Sequence, residues 1–453
     1  MRAIVFVLLM GPLALGLLSS SPVPGTDDQA AALGGPATVQ ESGPNAFDFP
    51  MPGLSVEDRR AFSVGKSLFR DNWVVAPASA ASRDGLGPLF NANSCTACHA
   101  GNGRGQPPPS AADVGLGMIV LISPSDRDGE PHPVYGSQLQ DQAIPGVRPE
   151  ARIEMREEPV SRARADGSTC TLTRLQPVLS DEAYGSIGSV RISARIGQQL
   201  IGMGLIEAVD DVTIESRADP DDRDGDGISG RARRVGSPPR VGRFGWKASQ
   251  ATLEDQVRVA LQQDIGITSE ALPEDSLTAP EREVIDAPNG GTPEIDGHRV
   301  ARLAHYCRVL AVPAQRDAVS VVVRKGRALF DAAGCGACHV PTLVSGEGSL
   351  IAELRRVEFH AYTDLLLHDM GEDLADHRRD GEATGREWRT PPLWGLGLVG
   401  TVNGHTRFLH DGRARDLTEA VLWHDGEALR ARQAFAAMRA EERAALIAFL
   451  QSL

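Results

Sequence analysis

Cys95-Thr96-Ala97-Cys98-His99 and Cys335-Gly336-Ala337-Cys338-His339 are two copies of one pentad, Cys-x-x-Cys-His. Its spacing lets both thiols reach the two vinyl groups of a single haem as thioethers, and it sets the next residue's imidazole under the iron as proximal ligand. Zinc would call for a further Cys or His pair at short spacing, and the two remaining cysteines, Cys170 and Cys307, stand alone. The pattern therefore predicts two covalently attached haem c groups. Cys95, Cys98, Cys335 and Cys338 are the attachment points, with His99 and His339 on iron.

The N-terminus agrees with this chemistry. Arg2 precedes an uncharged, mostly apolar run from Ala3 to Leu18, and Ser19, Ser20 and Ser21 follow, the order of a secretory signal peptide over residues 1–21. An uncleaved anchor is the alternative. Export would place the protein in the periplasm, where haem is attached to such motifs and where Cys170 and Cys307 are free either to pair or to remain two thiols. Residues 22–45, rich in Gly, Pro, Ala and Ser, read as a flexible leader. The formal charge of −14 argues against nucleic acid and against an anionic membrane surface, and it permits a small basic redox protein as partner.

Two haems suggest two copies of one unit. In the second half, helical apolar spacing through Val319, Val322, Val323, Leu329 and Phe330 leads into Cys335, and a terminal helix carries Leu446, Phe449, Leu450 and Leu453. In the first half, a helix at Val56 to Arg70 and another at Gly297 to Leu310, with Leu303, Tyr306 and Leu310, repeat these parts. Between them, Arg243 to Val257 and Arg407 to Val421 align without gaps. The expected fold is mainly α, with two cytochrome c-like haem domains. The first, residues 46–313, is enlarged by a loop-rich insert, and the second spans 314–453.

The segments Asp84-Gly85-Leu86-Gly87-Pro88-Leu89-Phe90-Asn91, Leu366-Leu367-His368-Asp369-Met370-Gly371, Arg389-Thr390-Pro391-Pro392-Leu393-Trp394-Gly395 and Phe408-Leu409-His410-Asp411-Gly412-Arg413 resemble the di-haem oxidoreductases described as peroxidases or thiol oxidoreductases. More distantly, the chain is similar to bacterial di-haem cytochrome c peroxidases and to MauG enzymes. The resemblance implies that one haem has an open iron face that cleaves hydrogen peroxide, while the other, closed by two axial ligands, relays electrons. It implies that His424 takes the place of a distal Met on the C-terminal haem, with Met370, Met438, His360 and His368 as lesser candidates. An imidazole there lowers the potential of the iron relative to a thioether. No sixth ligand suggests itself for the N-terminal haem, since Met118 and His132 lack supporting pattern. The resemblance also implies that Trp246 lies between the haems and that Gln256 lies at the peroxide site. The acid–base Glu of the relatives is missing, and Asp264, two residues before Gly266, is the nearest substitute. Related enzymes are often homodimers.

Asp222-x-Asp224-x-Asp226-Gly227-x-Ser229 supplies oxygens at the spacing of the front half of an EF-hand loop, which suggests calcium. Arg233 stands where the bidentate Glu would be, so a solvated acidic turn is the alternative. Three functions follow. The first is a periplasmic peroxidase, and the second a MauG-like oxidase of a protein, thiol or metal ion. The third is an electron carrier without catalysis.

Overall fold

A computed structural model describes residues 31–108, 117–163 and 169–453. The expected signal peptide lies outside these residues. No described helix is long and apolar enough to cross a membrane. The segment expected as a leader is folded from Leu33 onward. Leu33 is buried, and Thr38 and Val39 pair in parallel with Val312 and Pro313.

Two helix crossings match between the halves of the chain. In the second half, helix Val321–Ala332 crosses helix Ala440–Ser452 at Gly326, where an added Cβ would lie 2.0 Å from the Ala445 carbonyl oxygen and 2.7 Å from the Phe449 Cβ. In the first half, helix Val56–Arg70 crosses helix Gly297–Arg308 at Gly65, and the corresponding distances are 2.3 Å to the Arg302 carbonyl oxygen and 2.7 Å to the Tyr306 Cβ. One turn further on, Phe330 packs on Phe449 at 5.4 Å and on His339 at 6.4 Å. Phe69 packs on Tyr306 at 5.2 Å and on His99 at 6.4 Å. Only a residue without a side chain lets the helix backbones approach this closely.

The gapless alignment also has a structural counterpart. Phe244 pairs with Gln250 in a tight loop, and Phe408 pairs with Ala414 in the same way. Each loop is followed by a helix, Leu253–Ala260 and Leu417–Trp423 respectively. Thr252 caps the first by accepting from the Asp255 N–H, and Asp416 caps the second by accepting from the Glu419 N–H.

The expectation of a mainly α fold is overturned. The described residues are 30% helix and 19% strand, and their strands form small sheets of two or three members. Most of the strand content lies in the insert expected to be loop-rich. Met118–Pro124 pairs antiparallel with Val190–Ile196, and Arg152–Ala163 pairs along its whole length with Thr169–Ser180. The cause is local composition. Val190-Arg-Ile-Ser-Ala-Arg-Ile196 and Thr169-Cys-Thr-Leu-Thr-Arg-Leu175 are rich in β-branched residues with apolar and polar positions interleaved, which suits a half-buried pleated surface.

Candidate haem sites and the path between them

Each pentad stands at the wall of a cavity. Cys95, Cys98 and His99 line one of about 740 Å³, and Cys335, Cys338 and His339 line one of about 400 Å³. The two halves of the chain interleave here. Arg378 and Asp380 from the second half line the N-terminal cavity, and Arg104 and Trp246 from the first half line the C-terminal one.

In both sites the backbone has chosen the histidine tautomer. His99 Nδ1–H donates to the Gln198 carbonyl at 2.8 Å, and His339 Nδ1–H donates to the Tyr362 carbonyl at 3.0 Å. Nε2 of each ring is thereby left with its lone pair, as a metal ligand needs. Burial lowers the pKa of both rings, that of His339 to about 4, with His424 nearby adding to the effect. The imidazoles are therefore neutral at physiological pH. Burial likewise raises the thiols of Cys98 and Cys335 to about 12.

His424 faces His339 across the C-terminal cavity. Its Nδ1–H donates to the Ala420 carbonyl at 2.7 Å, again freeing Nε2, and the two ring centres are 6.5 Å apart. A metal–imidazole bond is about 2 Å long, so two imidazoles on opposite faces of one metal have ring centres about 6 Å apart. The donor set and spacing thus fit a haem iron held between His339 and His424. Of the other C-terminal candidates, His368 is committed elsewhere, His360 and Met438 lie off the cavity, and Met370 is a thioether on its wall. His368 is held at both nitrogens, by Glu427 at 2.6 Å and Asp364 at 2.9 Å, and His360, bonded through Nδ1 to Thr342 at 3.0 Å, is not among the residues lining the cavity.

The N-terminal cavity differs at one decisive position. Carrying the loop-and-helix correspondence forward, the residue equivalent to His424 is Ala260, which lines the cavity and offers no ligand atom. The earlier candidates do not replace it. His132 is engaged at both nitrogens, to the Ile187 carbonyl at 3.1 Å and from the N–H groups of Val134 and Tyr135 at 3.2 Å each, and Met118 is buried away from the cavity. Among the described lining residues, Met203 supplies a thioether, which the sequence reading did not single out.

Gln256 and Asp264 both face this cavity. Helix Leu253–Ala260 runs into a π-turn over Leu261–Ile265, and this wider turn carries Asp264. Burial pushes the Asp264 carboxyl up to about 6, while a hydrogen bond from Gln138 Nε2, at 2.7 Å, holds it down somewhat. The same Gln138 Nε2 lies 2.9 Å from Asn91 Oδ1, and Asn91 Nδ2 donates to Asp141 at 2.9 Å. This Gln138–Asn91–Asp141 support was missed in the sequence because its members come from separate loops and a two-residue strand.

Trp246 lines both cavities, as does Arg389. The Trp246 indole N–H donates to the Ile196 carbonyl at 2.8 Å, and its ring meets His410 edge-on at 6.5 Å. His410 in turn stacks on Trp388 at 3.7 Å. Arg389 donates to the Gly245 carbonyl at 3.0 Å and to the Gln198 side chain at 2.8 Å, linking the residue before Trp246 to the residue that orients His99. Burial lowers its pKa to about 10, so it keeps its charge.

Carboxylate oxygens of Asp222, Asp224 and Asp226 lie within 4.8 Å of one another. All three side chains accept in-loop N–H bonds, Asp222 from Gly227, Asp224 from Asp226 and Asp226 from Ile228. Asp226 lines the C-terminal cavity, so the acidic loop sits there and not beside the first haem site. Cys170 and Cys307 are both free. Cys170 is on the hairpin strand Thr169–Ser180, whereas Cys307 lines the N-terminal cavity.

Residues 28–117 and 186–453 match a family model described as "Di-haem oxidoreductase, putative peroxidase", and residues 118–185 fall outside the match. No curated protein and no solved structure matches the chain.

Proposed function

Because the chain belongs to this family of di-haem oxidoreductases, we propose that it is an exported c-type enzyme that reduces hydrogen peroxide in its N-terminal cavity with electrons passed through its C-terminal one. The observation that carries this reading is the pair Ala260 and His424: equivalent positions, one without a ligand atom and one presenting an imidazole 6.5 Å from His339. Peroxide must bind iron directly, whereas electron relay is fastest when coordination does not change.

Cys95, Cys98 and His99 would hold one haem, and Cys335, Cys338, His339 and His424 the other. Bound haem supplies the iron at which peroxide takes up two electrons, and two protons complete its conversion to two waters. The side chains supply the rest. Gln256 offers an uncharged amide that orients peroxide through hydrogen bonds. Asp264, with a pKa near neutrality, takes the proton from one oxygen and returns it to the other. Trp246, shared by both cavities, shortens the electron path between them. A small basic redox protein is the proposed donor, on grounds of the chain's acidity. Calcium at Asp222, Asp224 and Asp226 would stiffen the acidic loop beside the C-terminal cavity.

The test is the low-temperature electron paramagnetic resonance spectrum of the purified protein, oxidised and half-reduced, before and after hydrogen peroxide. One high-spin ferric signal altered by peroxide, beside one low-spin signal, is expected. Two low-spin signals indifferent to peroxide would make the protein an electron carrier, with Met203 the first residue to examine as a second distal ligand.

Asp264 gives a separate prediction. A base must be ionised, so the rate of peroxide reduction should climb with pH through about 6 and level off above it. The Asp264→Asn variant should lose roughly 10²- to 10⁴-fold in rate together with that inflection. A pH profile unchanged by the substitution would remove Asp264 from the chemistry.

A further inference from the structure

The segment outside the family match contains the hairpin formed by Arg152–Ala163 and Thr169–Ser180. Its contacts converge on the helix Leu417–Trp423, which ends at His424. Arg162 forms an ion pair with Asp373. Asp373 also accepts from Arg432 at 3.2 Å, and Arg432 reaches Asp425, the residue after His424, at 3.2 Å. A second connection runs through Arg415, which donates to the Thr171 carbonyl of the hairpin at 3.1 Å and to Glu419 of the helix at 2.8 Å. Third, the guanidinium groups of Arg162 and Arg174 lie over the ring of Trp423, at 5.8 and 6.0 Å, and Trp423 is the buried residue before His424.

These three connections start from one hairpin; two end on Asp425 and Trp423, which flank one imidazole, and the other on Glu419 of the helix that carries it. A lone surface ion pair holds little in place, but partly buried charges shared through Asp373 and stacked on an indole form a connected set whose members restrain each other. His424 itself is tied to the protein by its Nδ1 bond to Ala420 of its own helix. Its position over the cavity therefore depends on where that helix is held. We propose that the hairpin is a strap that keeps His424 seated opposite His339, with Arg162 and Arg174 as positioning residues. The proposal rests on reading His424 as the second axial ligand of the C-terminal haem.

The experiment compares ferric electron paramagnetic resonance spectra of the full-length holoprotein in four forms. These are the wild type, the Arg162→Ala/Arg174→Ala double variant, a variant in which residues 157–175 are replaced by an Asn-Gly turn, and Arg156→Ala as a control exposed on the same hairpin. The double variant and the shortened hairpin should each raise the high-spin share of the C-terminal haem by roughly tenfold, leaving the N-terminal signal and the control unchanged. Full retention of the wild-type low-spin signal in both variants would overturn the strap. A wild-type protein with no bis-imidazole signal would overturn the His424 assignment, and the strap with it, before any variant is made.

Discussion

Replacing Ala260 with histidine should close the N-terminal iron, removing its high-spin signal and lowering the rate of peroxide reduction by about three orders of magnitude. Ala260 is the last residue of helix Leu253–Ala260 and has ordinary helical backbone angles, so a larger side chain needs no change of conformation there. The residue four positions earlier is Gln256, whose carbonyl stands where that of Ala420 accepts the Nδ1–H of His424. An introduced imidazole would thus find the same acceptor and present the same nitrogen. If the closed form is favoured by about 4 kcal/mol, about one molecule in a thousand is open, and the apparent rate falls by that fraction. The check is a paired measurement of spin state and of the stopped-flow rate with peroxide. An unaltered high-spin signal and an unaltered rate would mean that the helix does not face the open side of the iron, and the proposed division of labour would fail. The reciprocal variant, His424→Ala, tests the same geometry from the other side by giving the C-terminal haem a high-spin signal.

The readable and unreadable parts of this chain separate along physical lines. The Cys-x-x-Cys-His spacing is a dense local signature, so His99 and His339 could be proposed as ligands from five residues each, and the structure adds that backbone carbonyls of Gln198 and Tyr362 orient their rings. The helix crossings were legible as apolar spacing, and Tyr306 and Phe449 do occupy matching positions against Gly65 and Gly326. Ala260 was not singled out, because a missing ligand has no composition of its own and an alanine on a helix is ordinary. The signal was nonetheless available, since the gapless correspondence carried three residues past Val257 and Val421 places Ala260 opposite His424. The insert was misjudged for a different reason. Strand Thr169–Ser180 has a readable alternation, but its partner Arg152–Ala163 is rich in Glu and Arg and becomes a strand by pairing with it. Such non-local pairing overrides weak local preference. Arg378 and Arg389 were likewise invisible as cavity residues of the first site, because they arrive from the other half of the chain.

The helix crossing at Gly326 predicts the largest effect on stability. The Cβ of an alanine there would lie 2.0 Å from the Ala445 carbonyl oxygen, a contact with backbone that no rotamer relieves, and valine would add branches against Phe449. The two helices must then separate, and Phe330, which bridges Phe449 and His339, moves with them. Gly326→Val should destabilise the C-terminal module by about 3 kcal/mol or more, lowering its melting temperature by roughly 6–12 °C for a unit of this size, with loss of the His339-linked Soret signal during the same transition. Gly348→Ala, where an added Cβ meets nothing within 4 Å, is the matched control and should leave melting unchanged. Because the first half repeats the crossing at Gly65 against Arg302 and Tyr306, Gly65→Val should produce the same loss at the N-terminal haem while sparing the other. Equal sensitivity of both haems to either single substitution would mean that the interleaved cavities unfold as one cooperative body, and the two modules would then be a repeat of architecture without independent stability.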